Sequence, residues 1–299
     1  PSFPTDIEVE CFANAKVLVQ AQRLRRLQKT KHFDVMYACA FETNVMAALA
    51  VLDQPQVGLI TGYRGFDTPS QLPHRLARNL SEVRADNIIV NTKTLKTWCA
   101  PRYRQKVSVI HNGIGELRRS RLTQAQARKQ LGLSRDGFHI GINARLEPVK
   151  NHELLLRAFQ EVHSIYPSCH LSLVGDGSHK EYLQGLCQSL GLGQAVTFHG
   201  WLDQVFQYLP AFDLLALTSK TEGCSNALQE AMLNGVPVLA TDVGGARELI
   251  KHQVSGWLVP PHCASALFNS LLELQRYPDL RADLARAGQT HIQQHFTTT

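Results

Sequence analysis

The amino-acid sequence predicts an α/β protein of two Rossmann-like, doubly wound domains with parallel sheets, the first of them incomplete. Two observations carry this. Short apolar runs alternate with helical patterns along most of the chain, which argues for parallel sheets covered by helices. The alternation also stops and restarts around a charged helical stretch, RLTQAQARKQLGL (121–133). The break divides a partial N-terminal domain, 1–118, from a C-terminal domain, 119–299.

The elements follow in order. Some 33 residues precede the first strand and read as an extended piece and one basic helix, AKVLVQAQRLRRLQKTKHF, with Leu18, Leu24 and Leu27 inward. DVMYACA (34–40) is a strand and NVMAALAVL (44–52) a helix; QVGLIT (56–61), NIIVNT (87–92) and KVSVIHN (106–112) are further strands. After the break, FHIGINA (138–144) is a strand and HELLLRAFQEVHSIYP (152–167) an amphipathic helix ended by Pro167. HLSLVG (170–175), AVTFHG (195–200), DLLALT (213–218), VPVLAT (236–241) and GWLVP (256–260) are strands. HKEYLQGLCQSLG (179–191), VFQYLPAF (205–212), NALQEAMLNG (226–235) and GARELI are helical. No short tandem repeat is present.

Composition is that of a globular chain, 44% hydrophobic and 19% charged over 299 residues, enough to bury a sizeable core. No apolar run approaches the length of a transmembrane helix. The opening PSFPTDIEVECF lacks the basic and apolar regions of a signal peptide. Seven scattered cysteines without a C-x-x-C pair read as buried free thiols in a reducing cytoplasm. The net charge of +6 fits anionic partners. No zinc-finger spacing or aromatic RNA-binding strand accompanies it, so nucleic acid is not expected as a partner.

Ligands of open α/β sheets bind at the carboxyl ends of the strands, against helix N-termini. Four such loops in the second domain carry suitable residues: RLEPVKN with Arg145 and Lys150, GDG at Gly175–Gly177, SKTEGCSN with Glu222, and DVGG at Asp242–Gly245. Asn226 reads as a helix N-cap with Gln229 in a capping-box relation, and Gly235 and Pro237 end that helix. Glu230 then has two open readings, a partner of the helix dipole or a ligand group. Glu222 sits in a loop whose free N–H groups suit an anion.

Taken together these segments resemble glycosyltransferase family 4. EGCSNALQEAMLNGVPVLATDVGG is similar to the family's E-x7-E region, VSVIHNGI (107–114) to its V-x-V-I-P-N-G-I, and INARLEPVKNHELLLRAF (142–159) to its G-R-L-x-x-x-K-N segment. LSLVGDG (171–177) and VTFHGW (196–201) fit its L-x-I-V-G-D-G and V-x-F-x-G. The resemblance implies the GT-B fold, two Rossmann-like domains facing a cleft, with the donor in the second and the acceptor in the first. It implies retaining transfer of a hexose-type sugar from a nucleotide-diphosphate sugar, UDP before GDP, with no cofactor and no metal. The absence of an Asp-x-Asp triplet agrees with the last point.

By the same resemblance, Arg145 and Lys150 neutralise the donor diphosphate, Glu222 contacts the transferred sugar and Glu230 holds the ribose. The amides of Gly223, Cys224, Ser225, Asn226 and Ala227 meet sugar and phosphates, Trp201 and Leu202 sit at the base, and Gly175 lies in a donor-side turn. Arg64, in TGYRGFD, stands where the family often has a histidine and is a candidate for an acceptor or phosphate contact. The expected acceptor is a glycan or lipid-linked molecule in bacterial surface polysaccharide synthesis. The basic helix at 21–32 is a candidate for an anionic membrane surface at the inner face of the membrane. Relative to the family, both ends of the chain read as truncated. That leaves open a donor-binding partner without turnover, and an epimerase-like enzyme of the same fold.

Overall fold

The computed structural model describes residue 8, residues 16–66 and residues 72–297. The chain forms two compact units. One runs up to Asn91 and includes Leu95–Ile110; the other comprises Thr92–Thr94 and the chain from His111 onward. The extended piece expected before the first helix falls almost entirely outside the described residues, as does Cys11.

In the first unit, α1 (Val17–Lys31), β1 (Val35–Cys39), α2 (Phe41–Ala50), β2 (Gly58–Tyr63), α3 (Leu72–Arg84), β3 (Asn87–Val90), α4 (Lys93–Trp98, whose first two residues count with the other unit) and β4 (Val107–Val109) follow one another. The strands form a parallel sheet in the order β1-β2-β3-β4. Met36, Ala38, Ala47, Val51, Val57 and Leu59 pack into its core. The basic helix exists, but Leu18 is 66% exposed rather than inward. The inner stripe is Ala21 and Gln28 with Leu24 half-buried, and Leu18 lies off that stripe.

The second unit contains α5 (Gln124–Leu131), β5 (Phe138–Asn143), α6 (His152–Ile165), β6 (Cys169–Val174), α7 (Lys180–Ser189) and β7 (Val196–Gly200). These are followed by β8 (Leu214–Leu217), α8 (Asn226–Leu233), β9 (Val238–Thr241), α9 (Ala246–Leu249), β10 (Trp257–Val259), α10 (Ala264–Arg276) and α11 (Pro278–His295). Their sheet is parallel, in the order β10-β9-β8-β5-β6-β7. The chain builds outward from β5 to β7, then returns to place β8 on the other side of β5. That reversal makes the carboxyl ends of β5 and β8 the switch point of the sheet, where loops diverge and leave a crevice.

Both faces of this sheet are covered. Ile140, Ile142, Leu155, Phe159, Leu171 and Leu173 pack in one core and Leu209, Leu215, Leu228, Met232 and Val238 in another. Strands buried on both sides read as continuous apolar runs, which is why the sequence displays them clearly. The stretch 205–212 is not one helix but two 3-10 turns, Val205–Gln207 and Leu209–Ala211. Pro210 in the middle lacks an N–H and cannot continue a helical ladder. Of the described cysteines, Cys99, Cys169, Cys187 and Cys224 are buried, while Cys39 and Cys263 are half-buried. No described helix is long and apolar enough to cross a membrane.

Candidate functional site

Four loops meet above the carboxyl edge of the second sheet, and backbone bonds fix them to one another. The Leu146 N–H donates to the Asp176 carbonyl at 3.0 Å, tying the loop after β5 to the loop after β6. The Lys220 N–H donates to the Val149 carbonyl at 2.8 Å, tying the loop after β8 to the loop after β5. The Gly245 N–H points at the Glu222 carbonyl at 3.4 Å, bringing in the loop after β9. Close packing makes glycine obligatory at Gly175: its φ is +130°, and a Cβ there meets the Ala144 carbonyl oxygen at 2.1 Å.

At the switch point stands an ion pair. Lys150, at the end of a 3-10 turn (Pro148–Lys150), directs its Nζ to Glu222 Oε1 at 2.5 Å. The side chains are 20% and 12% exposed, so the pair is largely but not wholly out of water. Ser219 Oγ donates to the same carboxylate oxygen at 2.6 Å. Thr241 Oγ1, at the end of β9, donates to the Ser219 carbonyl at 2.6 Å. Thr218 Oγ1 reaches the Asn151 carbonyl at 3.1 Å and the Lys150 carbonyl at 3.4 Å.

Beside the pair begins α8. Its N-cap is Ser225, whose Oγ faces the Leu228 N–H at 3.5 Å. The capping expected of Asn226 is therefore displaced by one residue; Asn226 is the first helical residue, and its Oδ1 accepts from Asn112 Nδ2 at 3.0 Å. Gln229 makes no capping box. Its Nε2 donates to the Asn112 carbonyl at 2.9 Å and toward Cys224 Sγ at 3.1 Å. Gly223, Cys224 and Ser225 are buried, and Ala227 is half-buried. The free N–H groups of the first turn give this end of α8 a partial positive charge.

Glu230 lies in the next turn and is only 9% exposed. Burial pushes its carboxyl above the ordinary glutamate range, while Arg118 pulls the other way. Arg118 Nη1 is 3.4 Å away, and the guanidinium also lies over the Phe206 ring. Glu248 behaves differently. Burial raises it, but N–H groups of Lys93 and Thr94 and the ring of His111, at 2.8 Å, hold its carboxyl below the usual range.

Other predicted residues are not drawn into this cluster. Arg145 is exposed; its carbonyl accepts from the Glu147 N–H at 2.8 Å, and its side chain makes no hydrogen bond or ion pair among the described residues. Trp201 is 73% exposed, with Nε1 donating to Asp203 at 3.2 Å, and Leu202 is half-buried. They follow β7, whose final Gly200 carbonyl accepts from the Gly175 N–H at 2.8 Å. Arg64 belongs to the first unit and is exposed. Sequence reasoning overlooked Thr218, Ser219, Asn112 and Arg118. The polar pair Thr218–Ser219 at the end of an otherwise apolar strand is the signal that identifies the first two.

The chain matches two family models, one described as glycosyl transferases group 1 over residues 123–291 and one as glycosyltransferase family 4 over residues 12–116. An uncharacterized glycosyltransferase of Haemophilus influenzae is 23% identical over 291 residues, covering 94% of this chain and 80% of the relative. A D-inositol 3-phosphate glycosyltransferase of Salinispora arenicola is 32% identical over 230 residues, covering 69% and 51%. The chain spans about half the length of several curated relatives, 49% of one from Methanocaldococcus jannaschii and 52% of one from Streptomyces avermitilis. Among solved structures, Anabaena Alr3699/HepE in complex with UDP-glucose superposes with a TM-score of 0.84 at 28% identity, covering 96% of this chain and 82% of that one.

Proposed function

The chain belongs to the glycosyl transferases group 1 family, with the GT-B fold, and from that premise we propose that it transfers a hexose from a UDP-sugar with retention of anomeric configuration. The observation that carries this is the Lys150–Glu222 pair at the switch point, beside the N-terminus of α8. A cation, a carboxylate and free helix N–H groups within one crevice suit a sugar diphosphate: the anion on the amides and cations, the hydroxyls on the carboxylates. UDP is preferred to GDP because the Anabaena protein, similar over nearly the whole chain, binds UDP and UDP-glucose.

In this reading Lys150 and the exposed Arg145 take the diphosphate, Glu222 accepts from the sugar hydroxyls and Glu230 from the ribose. The amides from Gly223 to Ala227 face the phosphates. Trp201 and Leu202 flank the base, and Gly175 lets the neighbouring backbone approach. The bond from the anomeric carbon to the diphosphate oxygen breaks, and a bond to the acceptor oxygen forms on the same face. The acceptor's proton passes to the departing diphosphate, whose growing charge Lys150, Arg145 and the α8 N-terminus stabilise. No metal or cofactor enters this scheme. The acceptor is a glycan or lipid-linked molecule, with Arg64 as a candidate contact. The exposed Arg23, Arg26 and Lys29 of α1, beside exposed Leu18 and Val19, support docking to an anionic membrane surface.

Calorimetry of the full chain against UDP-, GDP- and ADP-glucose tests the donor site. UDP-glucose is expected to bind best, and Lys150→Ala to weaken it by at least about tenfold, the loss of one charge-assisted hydrogen bond. Equal binding by the variant and the wild type refutes the site, as does failure of every nucleotide to bind.

A further inference from the structure

The two hydroxyl side chains that follow β8 contact opposite members of the candidate site's ion pair. Thr218 is fully buried and Ser219 1% exposed. Their hydroxyls are spent on different partners. Thr218 Oγ1 donates to the carbonyls of Asn151 and Lys150, on the loop that carries the cation. Ser219 Oγ donates to Glu222 Oε1 at 2.6 Å, on the carboxylate itself. Behind Ser219 stands Thr241, whose Oγ1 holds the Ser219 carbonyl at 2.6 Å and so ties its backbone to the end of β9.

We infer that Thr218 and Ser219 are positioning residues of the donor site, Thr218 setting the height of the Lys150 loop and Ser219 the rotamer of Glu222. This rests on the proposed function. The physical argument is one of geometry. Lys150 Nζ holds the same oxygen of Glu222 that Ser219 holds. A diphosphate that draws Lys150 away leaves Glu222 with one internal donor, and that donor is Ser219. A carboxylate on three rotatable bonds then keeps its orientation toward sugar hydroxyls only because a buried hydroxyl fixes one of its oxygens. Thr218 has no contact with the carboxylate and acts on the cation's backbone alone.

The two roles predict different ligand signatures. UDP carries the diphosphate without the sugar, so it senses Lys150 and not Glu222; UDP-glucose senses both. Calorimetry on the full chain compares wild type, Ser219→Ala, Ser219→Thr, Thr218→Val and Lys150→Ala, with melting temperatures recorded for each. Ser219→Ala is expected to weaken UDP-glucose about tenfold while UDP stays within about twofold, and Ser219→Thr, which keeps the hydroxyl, to restore the sugar nucleotide. Thr218→Val is expected to weaken both ligands by the same factor and to add no further loss in a Lys150→Ala background, whereas a hydroxyl that only packs the fold costs the same factor there too, and that result overturns the role of Thr218.

A hydroxyl that serves packing alone moves both ligands together or neither. Either result with Ser219→Ala overturns its role, and unchanged binding with Thr218→Val overturns that of Thr218. Should Ser219→Ala fail to fold, Ser219→Cys takes its place with the same expected split. If Lys150→Ala loses both ligands while Ser219→Ala loses neither, the donor site stands and this inference alone fails. If the wild type binds neither UDP nor UDP-glucose, the donor reading fails first and this inference falls with it.

Discussion

The Lys150–Glu222 pair offers the sharpest test of the site's electrostatics, because it can be broken from either side without a ligand. Lys150→Met keeps most of the side-chain volume and removes the cation. Glu222 then retains Ser219 as a donor but loses its counter-charge at 2.5 Å. Breaking a fully buried pair costs about 3–5 kcal/mol, chiefly because the surviving charge is stranded. Here the Glu222 side chain is 12% exposed and one donor survives, so we expect about 2 kcal/mol. Glu222→Gln strands the ammonium instead. Lys150 is 20% exposed on a flexible stem that can swing toward water, so its cost is smaller, about 1 kcal/mol.

The double variant removes both charges and strands neither, so it is expected within about 1 kcal/mol of wild type, giving a coupling of about 2–4 kcal/mol. Urea denaturation of the four proteins, followed by circular dichroism with the slope compared between variants, measures this cycle. On heating, the Lys150→Met loss corresponds to a melting point lower by roughly 4–8 °C for a domain of this size class. A coupling below about 0.5 kcal/mol refutes the reasoning: the pair is then no better than an exposed surface contact.

Two further outcomes follow from the same site and from α1. Burial raises the Glu230 carboxyl, so the folded state holds its proton to higher pH than the unfolded chain does; its cost to stability is absent below the unfolded pKa of about 4.3 and grows as pH rises. Glu230→Gln is therefore expected to raise the melting temperature of the ligand-free protein at pH 8 but not near pH 4, while weakening UDP about tenfold; a variant no more stable at pH 8 contradicts this. Sedimentation with vesicles of mixed phosphatidylserine and phosphatidylcholine is expected to carry the protein down at low salt, and Arg23→Glu with Arg26→Glu to abolish this; equal recovery with pure phosphatidylcholine rules out an electrostatic membrane surface.

How much of this was legible in the sequence depended on the range of the interaction concerned. Strands buried on both faces announce themselves as apolar runs, and β5 through β10 of the second sheet lie within a residue or two of where the sequence puts them. Local signals failed over 205–212, where Pro210 splits the expected helix, at Leu18, which lies off the inner stripe of α1, and at the cap of α8, where two readings are nearly isoenergetic. Ser225 and Asn226 are both good capping residues, and the choice of Ser225 is made by Asn112, which occupies the Asn226 amide from 114 positions away. The loops that carry Lys150 and Glu222 were readable as strand-end loops. Their pairing was not, because the two residues are 72 positions apart and only the strand order brings them together. Arg118 was invisible for the same reason: nothing near it in sequence hints at Glu230.

The two glutamates eight positions apart thus begin from opposite electrostatic states. Glu222 is neutralised at short range by Lys150 and oriented by Ser219. Glu230 has a single guanidinium at 3.4 Å that is itself half in solvent, and burial pushes its carboxyl up. On the proposed reading, donor binding treats them differently. Lys150 exchanges a carboxylate for a phosphate and is never without a counter-charge, so the free protein avoids a lone buried cation while keeping it ready. Glu222 is released to accept from hydroxyls at the moment its cation leaves. Glu230 gains hydroxyl donors without losing Arg118, and hydrogen bonds to a carboxylate favour its charged form. Binding should then expel a proton from Glu230 wherever the free protein still holds one. The amount released rises as pH falls through that range, until at still lower pH the bound carboxylate is protonated as well. That release distinguishes an engaged Glu230 from one that serves only the dipole of α8.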